Sequence, residues 1–154
     1  MNIVVTSGGF DPIHPGHILY LQNAASHGDK HICIVNSDKF LDKKKGYHVQ
    51  DWIARMTILL NIKGVDHAIP AIDEDDTVCQ TLRWIRAEYP NDVILFCKGG
   101  DRKKDEIPEK DVCDELGIII WDGMGGYNKI DSSRDIIKRV EERDRHDIKG
   151  CEIR

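Results

Sequence analysis

The residues best suited to chemistry are concentrated in GGFDPIHPGH, residues 8–17, which follows the apolar run NIVVT. Gly8 and Gly9 have no Cβ, so their backbone can come close to a ligand. Gly16 and His17 begin a helical stretch whose free backbone N–H groups and dipole attract anions. These features predict a phosphate site between the first strand and the first helix.

His14 and His17 are three residues apart, so both rings can point at one bound group. Other sites built from similar residues do not match the spacing. The dinucleotide fingerprint G-x-G-x-x-G is absent, and no G-K-[ST] follows as in a Walker loop. Two histidines without a third ligand at a suitable spacing do not predict a zinc site. A tight turn with incidental histidines remains as the alternative to the phosphate site.

Five short apolar runs are predicted to be strands that position this segment. Most of them are almost continuously apolar, which suits a parallel sheet covered on both faces. Pro70 makes the third run the least regular, because proline favours sheet edges. The predicted strands are Asn2–Thr6, Lys30–Asn36, His67–Ala71, Asp92–Lys98 and Gly117–Trp121.

Helical patterns separate these strands, with apolar residues at helical spacing. Strand–helix alternation over the whole length predicts a single-domain, doubly wound α/β fold of the Rossmann type. Its five-stranded parallel sheet would carry helices on both faces. Ligands bind such sheets at the carboxyl ends of the strands, which is where residues 8–17 lie. The predicted helices are Gly16–His27, Gln50–Lys63, Asp76–Glu88, Glu109–Leu116 and a last one from about Asp131.

Composition limits the function classes. The 154 residues are 40% hydrophobic, which is enough for one domain with a sizeable core. The net charge of -5 predicts no nucleic-acid or anionic-membrane partner. No apolar run approaches the roughly 20 residues that span a bilayer. We expect residues 1–142 to form the domain and residues 143–154 a charged tail that frays.

The five cysteines are scattered and include no C-x-x-C pair. Three lie in apolar stretches such as HICIVN, where a reduced cysteine packs as a small hydrophobic residue. This pattern predicts a reducing, cytoplasmic location without a disulfide framework or a structural zinc site. The first residues are typical of a strand and not of a signal peptide.

The HPGH sequence at residues 14–17 resembles the H-x-G-H signature of the cytidylyltransferase-like nucleotidyltransferases. Four further segments resemble motifs of that family in the same order, so the resemblance covers residues 1 to about 140. It implies nucleotidyl transfer, with Mg²⁺ as the partner of the triphosphate, held chiefly by phosphate oxygens and water. No protein side chain is expected as a metal ligand. The further segments are Asn36-Ser37-Asp38 with Lys43–Lys45, Arg55 with Val65-Asp66, Lys98-Gly99-Gly100-Asp101, and Lys129-Ile130-Asp131-Ser132-Ser133.

Two branches of the family differ in how well they match these segments. Residues 98–101 and 129–133 look most like the heptose-1-phosphate adenylyltransferases, which use ATP. The glycerol-phosphate cytidylyltransferases use CTP and carry R-T-x-G-I-S-T-T, which has no full match near Tyr127–Ser133. We therefore expect ATP and a small phosphorylated acceptor such as a sugar phosphate. The alternatives are a CTP-dependent enzyme and a nucleotide-sensing module without catalysis.

Nucleotidyl transfer must align two anions and stabilise the charge that grows on the α-phosphoryl group. From the resemblance, His14 and His17 are expected to donate to the triphosphate. Lys44, on a mobile loop, is expected to bridge the two phosphates. Backbone N–H groups at Gly9 and Phe10 are expected to hold the α-phosphate.

The nucleotide is expected to contact further residues after the fourth and fifth strands. Ser132 and Ser133 would hold the β- and γ-phosphates at the start of the last helix, where they also cap it. Asp101 would bind the ribose hydroxyls, and the loop Gly123–Lys129 would hold the base. The expected nucleotide-binding residues are Gly9, Phe10, Gly16, Gly99, Asp101, Lys129, Ser132 and Ser133.

Two residues are expected on the acceptor side. Arg55 is either a ligand of the substrate phosphate or a surface residue of its helix. Asp11 is better suited to stabilise the turn than to catalyse, because an anion beside phosphates is unfavourable. Acceptor specificity is expected from the loops Asp73–Asp76 and Arg102–Ile107.

The three tryptophans allow two interpretations. They either pack the core or supply apolar area for a homodimer interface. They are Trp52, Trp84 and Trp121.

Overall fold

A computed structural model describes residues 1–99, 107–124 and 132–152, with side chains described as far as residue 143. Its strands form one sheet in the order β3-β2-β1-β4-β5, and every pair is parallel. The prediction of a five-stranded parallel sheet is confirmed. The strands are β1 (Asn2–Gly8), β2 (Lys30–Val35), β3 (His67–Pro70), β4 (Val93–Gly99) and β5 (Ile119–Met124).

Helices cover both faces of the sheet, as predicted. On one face Leu82 and Ile85 of α4 and Cys113 of α5 pack against strand residues such as Ile3. On the other face α1 and α3 supply buried leucines that pack against β2. The helices are α1 (Pro15–Ala25), α2 (Asp38–Lys45), α3 (Trp52–Leu60), α4 (Cys79–Glu88), α5 (Lys110–Leu116) and α6 (Ser133–Glu152).

Burial on both faces explains the continuous apolar character of the central strands. Ile3, Val4 and Val5 of β1 are fully buried. Ile3 and Val5 belong to one core cluster, and Val4 belongs to another. Each such side chain contributes about 1.5–3 kcal/mol when it leaves water.

The position of β3 at an edge of the sheet agrees with the proline in its sequence. β3 is an edge strand that pairs only with β2, and it ends at Pro70. Proline is tolerated there because an edge strand needs only half of its backbone donors.

The lysine run is helical, so the prediction of a mobile loop was wrong. Lys43–Lys45 form the last turn of α2. The helix begins at a Ser37 cap, whose Oγ accepts the Phe40 N–H at 3.0 Å, and it ends at Gly46 with φ of 86°. Cations at the carboxyl end of a helix interact favourably with its dipole.

The last helix is longer than the sequence indicated. α6 runs from Ser133 to Glu152, through most of the segment 143–154 that was expected to fray. Seven of its twelve residues are charged, and five of those seven are Arg, Lys or Glu, which are good helix formers. Along the described residues, no helix has the length and apolar character needed to cross a membrane.

The tryptophans do not pack the core. Trp52, Trp84 and Trp121 are 40%, 47% and 45% exposed. In contrast, Cys33 and Cys97 are fully buried, and burial raises the pKa of each thiol to about 12. These two cysteines therefore act as small apolar residues, as predicted.

Candidate active site

A cavity of about 680 Å³ opens at the carboxyl ends of β1, β2 and β4. Its wall includes the backbone of Gly8 and Gly9 at the end of β1 and Gly99 at the end of β4. The chain leaves β1 towards β2, whereas β4 lies on the other side, so this is the switch point of the sheet. The segment singled out in the sequence therefore lies at the position where such folds bind ligands.

His14 and His17 form a reciprocal cap at the start of α1. The Gly16 N–H donates to Nδ1 of His14 at 3.1 Å, and the His14 N–H donates to Nδ1 of His17 at 3.2 Å. The two rings stack with their centroids 3.8 Å apart. This pattern matches a capping box, with histidines in place of the usual serine and glutamate. It provides a structural reason for the three-residue spacing.

The cap also fixes the tautomer of His17. A ring nitrogen that accepts a hydrogen bond carries no proton, so the neutral ring is protonated at Nε2. Burial, followed by the neighbouring charges of His14 and Lys45, lowers the pKa of His17 to about 3. His17 lines the cavity. At neutral pH it is therefore an uncharged N–H donor, a form compatible with the role expected of it.

The glycines at the end of β1 lie close to side chains of the protein. A Cβ on Gly9 would lie 2.8 Å from Cδ2 of Leu41, and one on Gly8 would lie 3.1 Å from the Phe10 ring. Phe10 is buried and has φ of 53°, which is uncommon for a residue with a side chain. The loop is thus tightly constrained. The Gly16 N–H was expected to face an anion, but in the structure it is taken up by His14.

Three lysines line the cavity. Lys43 and Lys44 come from the last turn of α2, and Lys98 comes from the end of β4. Lys98 Nζ lies 3.4 Å from the Ser7 hydroxyl, and Lys44 Nζ lies 5.6 Å from the centroid of the Phe40 ring. Several cations on one cavity wall attract anionic ligands and reduce the repulsion between two phosphates.

Arg55 is neither a surface residue nor placed to contact a substrate. Its side chain is fully buried and bonded to protein groups. Nη1 donates to the carbonyls of Gly9 and Asn36 at 2.8 and 2.7 Å, and Nη2 pairs with Asp38 at 2.7 Å. Its Nε donates to the Gln50 carbonyl at 2.9 Å. Arg55 therefore holds together the loops after β1 and β2. This structural role corrects both interpretations made from the sequence, the ligand of the substrate phosphate and the surface residue.

Asp11 has a similar structural role. It is 1% exposed, and its two oxygens accept the N–H groups of Val49 and Gln50 at 2.7 and 2.8 Å. The substrate-binding role assigned to Asp11 does not match this geometry, because both carboxylate oxygens are engaged by the backbone. The interpretation as a turn-stabilising residue does match it.

The two serines at the start of α6 have different partners. Ser132 caps the helix, since its Oγ accepts the Asp135 N–H at 3.0 Å. The Ser133 hydroxyl donates to the Pro12 carbonyl at 2.9 Å. Ser133 therefore ties the last helix to the loop before α1, which ends at His14.

Some predicted residues cannot be placed. Asp101 and Lys129 lie outside the described residues, as does most of the Gly123–Lys129 loop. Of the two loops expected to give acceptor specificity, Asp73–Asp76 reaches the cavity through Asp76.

Sequence reasoning assigned no role to two charged residues of the cavity wall, Lys98 and Glu109. A signal for Lys98 was present, because it ends an apolar strand directly before two glycines. Glu109 carried no such signal, since it stands among several acidic residues ahead of a short helix. Within the described residues, no group of three His, Cys, Asp or Glu side chains could hold a metal ion.

The parallel sheet, the cavity at its switch point and the paired histidines define the nucleotidyltransferase class of α/β proteins. The model of the cytidylyltransferase-like family matches residues 5–154. The chain therefore belongs to this family, and the prediction made from the H-x-G-H motif is confirmed.

Similar proteins agree with this assignment. The bifunctional protein HldE of Haemophilus ducreyi is 35% identical over 146 residues, which is 90% of this chain and 28% of that protein. The chain thus spans little more than a quarter of that relative. The crystal structure of a lipopolysaccharide core biosynthesis protein from Thermoplasma volcanium has a TM-score of 0.62 at 27% identity, covering 79% of this chain and 93% of that one.

A more distant structure supports the fold alone. A Vibrio parahaemolyticus protein, described as a nicotinate-nucleotide adenylyltransferase, has a TM-score of 0.65 at 17% identity. The match covers 92% of this chain and 87% of that one.

Proposed function

We propose that this chain transfers the nucleotidyl group of ATP to a small phosphorylated acceptor, a sugar phosphate, and releases pyrophosphate. The observation that carries the proposal is the cavity at the switch point, where the His17 ring, glycine backbone and three lysines meet. Its 680 Å³ is in the range of small-molecule sites. ATP is favoured over CTP by the resemblance of residues 98–101 and 129–133 to the heptose-1-phosphate adenylyltransferases.

The reaction is a displacement at the α-phosphorus. An oxygen of the acceptor phosphate forms a bond to this phosphorus, and the bond to the bridging oxygen breaks, so pyrophosphate leaves with the electron pair. The attacking oxygen is already ionised at neutral pH, and no general base is required. The protein instead positions two anions and stabilises the charge that develops between them.

The described residues can supply this stabilisation. His17 donates from Nε2 as a neutral ring, so it contributes a fixed dipole. Lys44 and Lys43 bring positive charge from α2, and Lys98 brings it from β4. Fixed donors of this kind each account for about 3–4 kcal/mol of transition-state stabilisation when well aimed.

In this proposal, Mg²⁺ enters the site bound to the triphosphate of the nucleotide. Mg²⁺ neutralises part of the triphosphate charge when bound. By the family resemblance, phosphate oxygens and water would be its chief ligands.

Pyrophosphate release from ATP and from CTP tests the proposal, with a panel of sugar phosphates and phosphorylated alcohols as acceptors. We expect turnover with a sugar phosphate and a higher kcat/KM for ATP. A tenfold or greater preference for CTP would make the chain a cytidylyltransferase. Tight nucleotide binding without turnover of any acceptor would favour the sensing module instead.

A further inference from the structure

Strands β1 and β4 separate from each other before either strand ends. Their pairing stops at Val5 and Phe96, although both strands continue and stay paired with their other neighbours. In a parallel ladder, the next hydrogen bond would join the Ser7 N–H to the Cys97 carbonyl. The sheet therefore opens between β1 and β4, at its switch point.

The Tyr20 hydroxyl occupies the place of that ladder bond. It accepts the Ser7 N–H at 3.3 Å and donates to the Cys97 carbonyl at 2.6 Å. Burial raises the pKa of Tyr20 well above its ordinary value, so the hydroxyl keeps its proton and remains a donor. One oxygen thus satisfies both backbone groups and holds them further apart than a direct bond would.

The opening between the two strands forms part of the cavity wall. Ser7 and Gly8 line the cavity from β1, and Lys98 and Gly99 line it from β4. Lys98 Nζ lies across the opening, 3.4 Å from the Ser7 hydroxyl. Its ammonium group is therefore near the end of β1, where the backbone is expected to hold the α-phosphate.

Tyr20 affects Lys98 through the backbone and not by direct contact. Tyr20 and Cys97 pack in one core cluster, whereas Phe96 belongs to the cluster on the opposite face of the sheet. Lys98 Nζ lies 5.1 Å from the centroid of the Phe96 ring, on that opposite face. Tyr20 also follows His17 by one helical turn, so the same hydroxyl fixes the position of α1 relative to both strands.

We propose that Tyr20 is a positioning residue of this site: its hydroxyl holds β1 and β4 apart and thereby aligns the Lys98 ammonium group with the triphosphate. This inference rests on the proposed function and adds to it a residue that touches neither substrate. Without the hydroxyl, the two strands either close into a direct ladder bond or admit water, and Lys98 moves in both cases. A displacement of about 1 Å can lower a rate about a hundredfold even when its origin is remote from the chemistry.

A double-mutant cycle between Tyr20→Phe and Lys98→Met tests the inference, with kcat/KM for ATP as the readout. Tyr20→Phe removes one oxygen and keeps the ring that packs against the core. We expect it to lower kcat/KM about tenfold to a hundredfold, and Lys98→Met to lower it at least as much. The double variant should match Lys98→Met within about twofold, because the position of the ammonium group has no effect once that group is absent.

Tyr89→Phe is the matched control. Tyr89 is also half-buried, and its hydroxyl accepts a hydrogen bond from Lys30 Nζ at 3.4 Å. Lys30 is the first residue of β2, so this hydroxyl lies at the end of the sheet opposite the cavity. Its removal should leave kcat/KM at the wild-type value, even where the melting temperature falls as far as in Tyr20→Phe.

Three results would overturn the inference. The first is a wild-type kcat/KM in Tyr20→Phe. The second is a double variant in which the two losses multiply, because a general weakening of the fold acts independently of Lys98. The third is a Tyr20→Phe protein that does not fold, since the hydroxyl would then serve folding and not alignment.

Binding separates this inference from the proposed function. The same cycle is measured on the dissociation constant of ATP with Mg²⁺, by calorimetric titration of the whole chain. Coupled losses of ATP affinity without turnover of any acceptor contradict the proposed function and leave the positioning role of Tyr20 standing. Turnover with independent losses contradicts only the role of Tyr20.

Discussion

The two nitrogens of the His17 ring have separate tasks, and substitution can separate them. Nδ1 caps α1, and Nε2 carries the proton expected to face the triphosphate. Asparagine places its oxygen near the position of Nδ1, whereas glutamine places its NH₂ near that of Nε2. We expect His17→Asn to keep the melting temperature but lose about 10²–10³ in kcat. His17→Gln should keep more activity and less stability.

Steady-state kinetics and thermal unfolding of both variants check this prediction. Near-normal kcat in His17→Asn would contradict the donor role of His17. A lower melting temperature for His17→Asn than for His17→Gln would contradict the capping role.

The depressed pKa of His17 predicts how stability depends on pH. The folded protein has a pKa of about 3 at this ring, while the unfolded chain has one near 6.5. Below pH 6.5 the unfolded state binds more protons, so the free energy of unfolding falls as pH falls. For His17 the loss is about 2 kcal/mol between pH 7.5 and pH 5, and it continues towards pH 3.

Urea unfolding of wild type and of His17→Asn at a series of pH values measures this contribution as the difference between the two proteins. His17→Asn should remove most of it, whereas His31, whose pKa burial also lowers, stays in both proteins. Parallel stability profiles for wild type and His17→Asn between pH 7.5 and pH 5 would show that His17 is not held neutral.

At the scale of elements, Arg55 joins α3 to the loops that follow β1 and β2. Arg55→Met leaves the carbonyls of Gly9 and Asn36 without their donor and Asp38 without its cation. We expect a loss of about 3–5 kcal/mol in the free energy of unfolding, since one partner of a buried ion pair is removed. Urea unfolding measures it.

Arg83→Met is the matched control for Arg55. Arg83 pairs with Glu115 on the surface, and solvent screens that pair. The control should therefore change stability little. Unchanged stability in Arg55→Met together with a raised KM for the acceptor would restore the substrate-ligand interpretation.

Helix α2 places Lys44 on the cavity wall and Lys39 in solvent. Lys44→Ala should lower kcat and weaken acceptor binding, because one ammonium group is proposed to contact both phosphates. We expect a loss of one to two orders of magnitude in kcat/KM, on the scale of a fixed charged donor. Lys39→Ala removes the same charge from the same helix and serves as the control. Equal losses of kcat/KM in Lys44→Ala and Lys39→Ala would mean that Lys44 contributes only to the overall positive charge of α2.

For the whole molecule, the exposed tryptophans favour an interface. Trp52, Trp84 and Trp121 each leave 40% or more of their surface in solvent. Because large aromatic residues are enriched at interfaces, we predict a homodimer at micromolar concentration. Sedimentation equilibrium checks this, and a single 17.6 kDa species would contradict it.

The sheet could be predicted because its signal is local. Continuous apolar runs, Pro70 at an edge and glycines after β1 each specify backbone conformation or burial within a few residues. The five strands, their parallel arrangement and the position of the H-x-G-H segment followed from those patterns. The helical state of the lysine run did not, because charged residues in a short segment suit a helix and a loop equally well.

The partners of the charged side chains depend on the tertiary structure. The sequence determined that a glycine-rich turn joins β1 to α1 and that basic residues follow β2. Only the fold decided that Arg55 is buried among carbonyls, that Asp11 binds the backbone of residues 49 and 50, and that Glu109 is almost fully buried beside the cavity. A charged side chain has the same local pattern whether its partner is water, a ligand or a distant loop. Its role is therefore set by which segments the sheet brings together.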